Sequence, residues 1–127
     1  MSATDSTDLT VCLVDDDPSV LKATGRLLSS AGWNVASFSD PVGFLRYAEE
    51  HCPKIVVLDV LMPVMNGLEV QSRLGKISPE TRVIILTSKD DPAVRTQAMA
   101  CGASAFFVKP VHDEEFLSGI EAIVSHS

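Results

Sequence analysis

From the tenth residue onward, apolar positions come in two kinds of run that take turns along the chain. Short, nearly continuous runs occupy Thr10–Val14, Ile55–Leu58, Arg82–Leu86 and Ala103–Val108, and a more alternating one occupies Trp33–Phe38. Runs of this length, rich in β-branched residues, predict strands, and the continuous ones predict strands buried on both faces. Between them apolar residues return every three or four positions: Val20, Leu21, Thr24, Leu27, Leu28 and Ala31; then Phe44, Leu45, Tyr47 and Ala48; then Leu68 and Leu74. Val94, Ala98 and Cys101, and finally Phe116, Leu117, Ile120, Ile123 and Val124, continue the rule. That spacing predicts five helices with one inward face each. Asp17-Pro18, Asp40-Pro41 and Asp91-Pro92 are start signals, a capping carboxylate followed by a proline whose missing donor costs nothing there. Gly32, Gly75 and Gly102 are the expected stops, and the acids after Asp113 suit the first turn of the last helix. Strand then helix, five times over, predicts an α/β fold: one doubly wound parallel sheet with right-handed crossovers and helices on both faces. The domain is expected over residues 10–125, behind a flexible polar tail at 1–9.

Composition narrows the class. A chain of 127 residues with 46% hydrophobic and 21% charged residues can bury one core without disulfide or metal staples. A formal charge of −7 argues against direct binding to nucleic acid or to an anionic membrane. No apolar run approaches a membrane span and the polar start is no signal peptide, so the expected location is cytoplasmic. Cys12, Cys52 and Cys101 have neither CxxC spacing nor a histidine at metal-binding distance in sequence. They are expected to be reduced thiols that pack as small buried hydrophobes.

In a doubly wound sheet, functional groups collect where the strands end. Those ends carry Asp15 and Asp16, then Asp59, then Thr87-Ser88, then Lys109-Pro110. Asp59 alone reads more readily as a turn or cap aspartate than as a reactive acid. Together the five groups bring three carboxylates, a hydroxyl and an ammonium to one edge. Crowded carboxylates repel, and a hard divalent cation such as Mg²⁺ relieves that repulsion. A cation, a lysine and a hydroxyl around one ionised aspartate make a set suited to phosphoryl transfer, with Asp59 as the nucleophile and an acyl phosphate as the product.

With these residues in place, the chain from Thr10 to Val124 resembles the response-regulator receiver domain of two-component signalling. The matching pieces are Val14-Asp15-Asp16, Leu58-Asp59 with Met62-Pro63 and Gly67, Thr87-Ser88 and Lys109-Pro110. The resemblance implies a flavodoxin-like five-stranded parallel sheet of order 2-1-3-4-5. It implies Mg²⁺ held by Asp16 directly, by Asp15 largely through water, by Asp59 and by the backbone carbonyl of Leu61. Asp59 is then the phosphoacceptor, and Thr87 and Lys109 contact the phosphoryl group and transmit its arrival. Phe106 falls where the family often has a switch aromatic, although strand five needs apolar residues in any case. The implied donor is a histidine kinase or phosphotransfer protein. The implied outlet is the face made by helix four, strand five and helix five, toward an output domain, a protein target or a phosphorylation-dependent dimer. Such a domain assists its own phosphorylation and dephosphorylation without being an enzyme in the usual sense.

Two positions depart from the commonest pattern, Leu61 after the acceptor and Val111 after Lys109-Pro110. Leu61 and Lys89 are expected to border the line of approach of a hydrolytic water. Leucine excludes water there, while Lys89 can either cover the phosphoryl group or attract the water. The chain is expected to be either a stand-alone regulator or the receiver half of a transcriptional regulator; Asp15-Asp16-Asp17-Pro18-Ser19-Val20 and Phe44-Leu45 look similar to receivers joined to helix-turn-helix domains. Three rivals share parts of the pattern. An aspartate-nucleophile phosphatase needs a second aspartate where Leu61 stands. In a flavodoxin-like electron carrier, three aspartates in the first loop would repel a phosphate. A degenerate receiver, serving as a phosphorylation-independent binding module, would lack one of the five site residues, and none is missing.

Overall fold

The computed structural model describes residues 10–62 and 65–125. The expected tail at 1–9 lies outside the described residues. The chain runs β1 (Thr10–Val14), α1 (Pro18–Ser30), β2 (Asn34–Phe38), α2 (Pro41–His51), β3 (Ile55–Leu58), α3 (Gly67–Ile77), β4 (Arg82–Thr87), α4 (Pro92–Ala100), β5 (Ala105–Val108) and α5 (Asp113–Ser125). The strands form one parallel sheet in the order β2-β1-β3-β4-β5, as expected.

The period-two alternation of a strand sorts the core into two layers. Cys12 and Val14, Val56 and Leu58, and Val83 and Ile85 face one side, where α2, α3 and α4 bring Phe44, Ala48, Val70, Leu74 and Ala98. Val11 and Leu13, Ile55 and Val57, and Ile84 and Leu86 face the other, where α1 and α5 bring Leu28, Phe116 and Ile120. Continuous apolar runs were needed because both faces are covered. Neither edge strand has a fully buried residue: β2 alternates, whereas β5 keeps a continuous apolar run and is only partly buried because, among the described residues, nothing pairs with its outer edge.

All three Asp-Pro starts work as caps. Asp17 accepts from the N–H of Ser19 at 2.9 Å, Asp91 from that of Ala93 at 2.9 Å, and Asp40 from those of Val42 and Gly43 at 3.2 and 3.3 Å. A fourth cap, Asn66, accepts from the N–H of Glu69 at 3.0 Å and opens α3.

Several helix and strand ends differ from expectation. Gly75 does not stop α3: unlike Gly32 and Gly102 it lacks the positive φ of a helix-ending glycine, and the helix runs on to Ile77. The stop is Ser78, whose hydroxyl bonds Thr81 Oγ1 at 2.7 Å while Thr81 donates to the carbonyl of Pro53 at 2.6 Å. Trp33 precedes β2, its N–H closing the end of α1 on the carbonyl of Leu28. Ala103 likewise closes α4 by donating to Ala98, so β5 begins two residues later than its apolar run. Ala31, at the cap of α1, is exposed. Of the cysteines only Cys12 is a buried hydrophobe, its thiol pushed up to about 12 by burial. Cys52 and Cys101 are exposed, because each sits at a helix C-cap where the chain turns at the surface.

The doubly bonded cap at Asp40 should make Asp40→Ala less stable by about 1 kcal/mol, read as a lower urea midpoint with unchanged slope. An unaltered midpoint would mean that water serves those two N–H groups equally well.

Candidate functional site

The last rungs of the sheet set the positions of the site residues. Asp15 donates its N–H to the carbonyl of Phe38 at 3.1 Å, one step beyond the β1–β2 register. Asp59 donates to the carbonyl of Val14 at 3.0 Å, extending β1–β3, and Lys109 donates to that of Thr87 at 2.8 Å, extending β4–β5. The backbones of Asp15, Asp59, Thr87 and Lys109 are therefore fixed by strand pairing rather than by loops. Asp16, just beyond the ladder, is exposed.

Asp15 and Asp59 are only 5% and 7% exposed and Thr87 only 1%. Oxygen atoms of Asp15, Asp16 and Asp59 lie within 4.8 Å of one another. Lys109 Nζ reaches Asp15 Oδ2 at 2.9 Å, while Asp15 Oδ1 accepts from the N–H of Asp17 at 2.9 Å. Asp59 Oδ1 accepts from the N–H of Leu61 at 3.2 Å. Burial first, and then the neighbouring charge of Asp15, push the Asp59 carboxyl above the ordinary range. Lys109 and the Leu61 N–H pull it back in part, and Asp16 adds a smaller upward push. A single ammonium against three acids leaves excess negative charge on an all-oxygen donor set. That is what a hard divalent cation requires, so the triad could bind a metal ion.

Thr87 Oγ1 accepts weakly from the N–H of Lys89 at 3.4 Å, so its own O–H remains available to donate. The side chain of Leu61 is half exposed at 49%. Phe106, on β5, is half buried against the layer that holds Leu58, with the guanidinium of Arg95 over its ring at 4.9 Å. Val111 packs on the opposite side of the sheet, with α1 and α5. The site residues expected from sequence thus share one edge, and Phe106 stands off from the acids on the adjoining face.

Two features were not anticipated. Lys109 holds Asp15, whereas the sequence offered no way to tell which acid it would choose. Gly67 is more than a loop signal. Its N–H bonds the carbonyl of Val60 at 3.0 Å, and a side-chain carbon there would collide with the Asp59 carbonyl and lie 2.9 Å from Val60 Cα. The first turn of α3 can therefore press directly on the backbone of the central acid, an approach open only to glycine. The nearby Asn66-Gly67 pair was the available signal, and it reads equally well as an ordinary turn.

The profile of the response regulator receiver domain matches residues 11–121. This chain belongs to that family. Among curated relatives, the receiver is 34% identical to response regulator protein TmoT of Ectopseudomonas mendocina over 110 residues, covering 87% of this chain and 50% of TmoT. It superposes on a receiver domain protein from Clostridium thermocellum with a TM-score of 0.87 at 28% identity, covering 92% and 94% of the two chains. The BeF3-activated DrrB receiver domain of Thermotoga maritima gives 0.83 at 30% identity, with 92% and 97% covered. The chain spans about half the length of the curated relatives it matches. A receiver is a signalling phosphoacceptor rather than a classical enzyme, and this one carries the acidic pocket Asp15, Asp16 and Asp59. Among the described residues no helix is long and apolar enough to cross a membrane.

The raised Asp59 carboxyl has a measurable consequence in metal-free protein. An acid whose folded pKa exceeds its unfolded one destabilises the fold above the folded pKa, and the penalty fades as pH falls toward the ordinary value of 3.8. In chelator, Asp59→Asn should raise Tm at pH 7 by relieving that penalty. The gain should shrink as pH is lowered to 4. A gain of equal size at both pH values would assign it to packing instead of charge.

Proposed function

We propose that Asp59 is the residue phosphorylated in this receiver, with a phosphohistidine of a histidine kinase or phosphotransfer protein as donor. The observation that carries the reading is the buried Asp59 carboxylate, set by the β1–β3 ladder among two further acids, a hydroxyl and an ammonium. An Asp59 oxygen attacks phosphorus, the nitrogen–phosphorus bond breaks, and the departing imidazole nitrogen keeps the electron pair and takes up a proton. Asp15, Asp16, Asp59 and the backbone carbonyl of Leu61 would hold Mg²⁺. Bound there, Mg²⁺ supplies positive charge against the phosphoryl oxygens and the three acids. Lys109 supplies a second fixed positive charge next to Asp15. Thr87 turns its hydroxyl toward the new phosphoryl oxygens, and that differential contact favours the switched state.

The output runs through the α4–β5–α5 face, on which Phe106 and Arg95 lie. Phe106 is the aromatic that follows Thr87 inward. The partner on that face is an output domain, a protein target or a second receiver, and the net charge of −7 argues against direct contact with nucleic acid. The whole protein acts either as a transcriptional regulator of which this is the receiver half or as a stand-alone regulator.

With a phosphorylated histidine donor and Mg²⁺, intact mass should rise by one phosphoryl group in wild type and stay unchanged in Asp59→Asn. Undiminished uptake by the variant would remove Asp59 from its role. Lys109→Ala should lower uptake by more than about tenfold, the scale of a lost charge at a reacting centre. Signal lifetime offers a separate check. The apolar Leu61 side chain stands half exposed beside Asp59, so Leu61→Asn, able to hold a water in line, should hasten dephosphorylation by roughly threefold or more. Decay of the phosphoprotein at an unchanged rate would show that Leu61 does not keep that water out.

A further inference from the structure

The layer between α3 and α4 contains one polar side chain that the phosphoacceptor chemistry does not use. Gln71, in the second turn of α3, is only 4% exposed. Its Nε2 donates to the backbone carbonyl of Ala98 in α4 at 3.0 Å, across 27 positions of sequence. Its Oε1 is buried and has no partner among the described residues. The opposite amide orientation would aim oxygen at oxygen, so the Ala98 bond fixes which way round the group lies. A half-satisfied buried amide is a poor way to fill space, since an apolar side chain of the same size would leave nothing unpaired. What the amide uniquely supplies is a fixed place for the Ala98 carbonyl.

That carbonyl is a telling place to hold. Ala98 is the one fully buried residue of α4, and Val94 in the amino half is only partly buried against the same layer, so that half is the less firmly seated. The same carbonyl accepts from the N–H of Ala103, which closes the helix and leads into β5. At the other end, α4 begins at the Asp91 cap after the exposed stretch Ser88, Lys89 and Asp90, directly downstream of Thr87. Arg95, in that half, rests on Phe106 through a ring-face contact and is otherwise exposed. The far end of the connection is rigid as well. Gly67, one turn before Gln71, bonds Val60 and abuts the Asp59 backbone. Helix α4 therefore has a firm carboxyl end, tied through α3 to the acceptor strand, and a soft amino end beside Thr87.

We propose that Gln71 is a positioning residue that makes the carboxyl end of α4 a pivot, so that a signal arriving at Asp59 displaces the amino end of α4 while Ala98 to Ala103 stay in register. The proposal rests on the reading of Asp59 as phosphoacceptor and Thr87 as the coupling hydroxyl. Gln71→Leu and Gln71→Met are suitable variants, because they delete the bond without leaving Ala98 unsatisfied and also remove the unpaired Oε1. Neither should lower Tm, and phosphoryl uptake should be unchanged.

The test is amide NMR of the full chain, without and with Mg²⁺ and beryllofluoride, which stands in for the phosphoryl group. In wild type the shift changes on loading should be largest at Asp91 to Arg95 and fall away toward Ala103. In both variants they should remain large through Ala98 to Ala103, and hydrogen exchange of the Ala103 amide should quicken about tenfold even before loading. Wild-type fall-off and wild-type exchange in both variants would overturn the pivot, leaving Gln71 as a packing residue. No response at Thr87 in wild type would overturn the phosphoacceptor reading and the pivot together. Thr87 itself therefore separates the two failures, and a variant that does not fold is replaced by its companion.

Discussion

Adjacent parallel strands lie about 4.8 Å apart, and an acid that ends one strand cannot avoid an acid that ends the next. That spacing is the constraint on which this molecule turns. Asp15 and Asp59 are bonded into the last rungs of β1 and β3, so their mutual repulsion cannot relax by movement of the backbone. Both are buried, which removes most of the water that would screen them. Lys109 answers one of the two at 2.9 Å and leaves Asp59 short of positive charge. The sheet beneath supplies the rigidity: β3 is buried on both faces, and the two apolar layers that cover it have no counterpart to the charge above them.

The same rigidity divides the molecule into parts that hold and parts that can respond. Residues on the ladder are tied to the next strand, Lys109 for example by its N–H to the Thr87 carbonyl at 2.8 Å. The segment after Thr87 is exposed, and α4 is seated by the buried Ala98 with only the partly buried Val94 beside it. Elements chosen from the low-stability end of a fold are the ones able to change with a ligand. Here that softness begins within a residue of a buried hydroxyl at the edge of the acidic pocket. The acidic pocket and the exposed segment before α4 are therefore immediate neighbours along the chain.

The fold was legible because each level of the sequence agreed with the next. Apolar runs such as Ile55–Leu58 are too short for helices and too continuous for half-exposed strands, and Asp17-Pro18, Asp40-Pro41 and Asp91-Pro92 carry a cap that works within three residues. The site was legible for a related reason: in a parallel sheet, strand ends come together whatever the loops do, so Asp15, Asp59, Thr87 and Lys109 could be gathered before any contact was known. What depended on three-dimensional approach was not legible. Gly75 looks like a helix stop until its backbone is seen to lack the positive φ of Gly32 and Gly102, and Cys52 and Cys101 look like core residues until their helices end beneath them. Gly67 and Gln71 owe their importance to atoms 8 and 27 positions away, and local pattern carries no trace of such distances.

Leu61 and Gly67 stand six residues apart on either side of one loop, yet they answer to different constraints. Position 67 is closed, because the Asp59–Val60 backbone occupies the space any side chain would need. Position 61 is bonded to Asp59 through its N–H, while its side chain stands half in solvent. A substitution at 61 can change what lies beside Asp59 without disturbing the bond that orients it. Within six residues the chain therefore sets a position that must be inherited unchanged beside one whose side chain is free to vary.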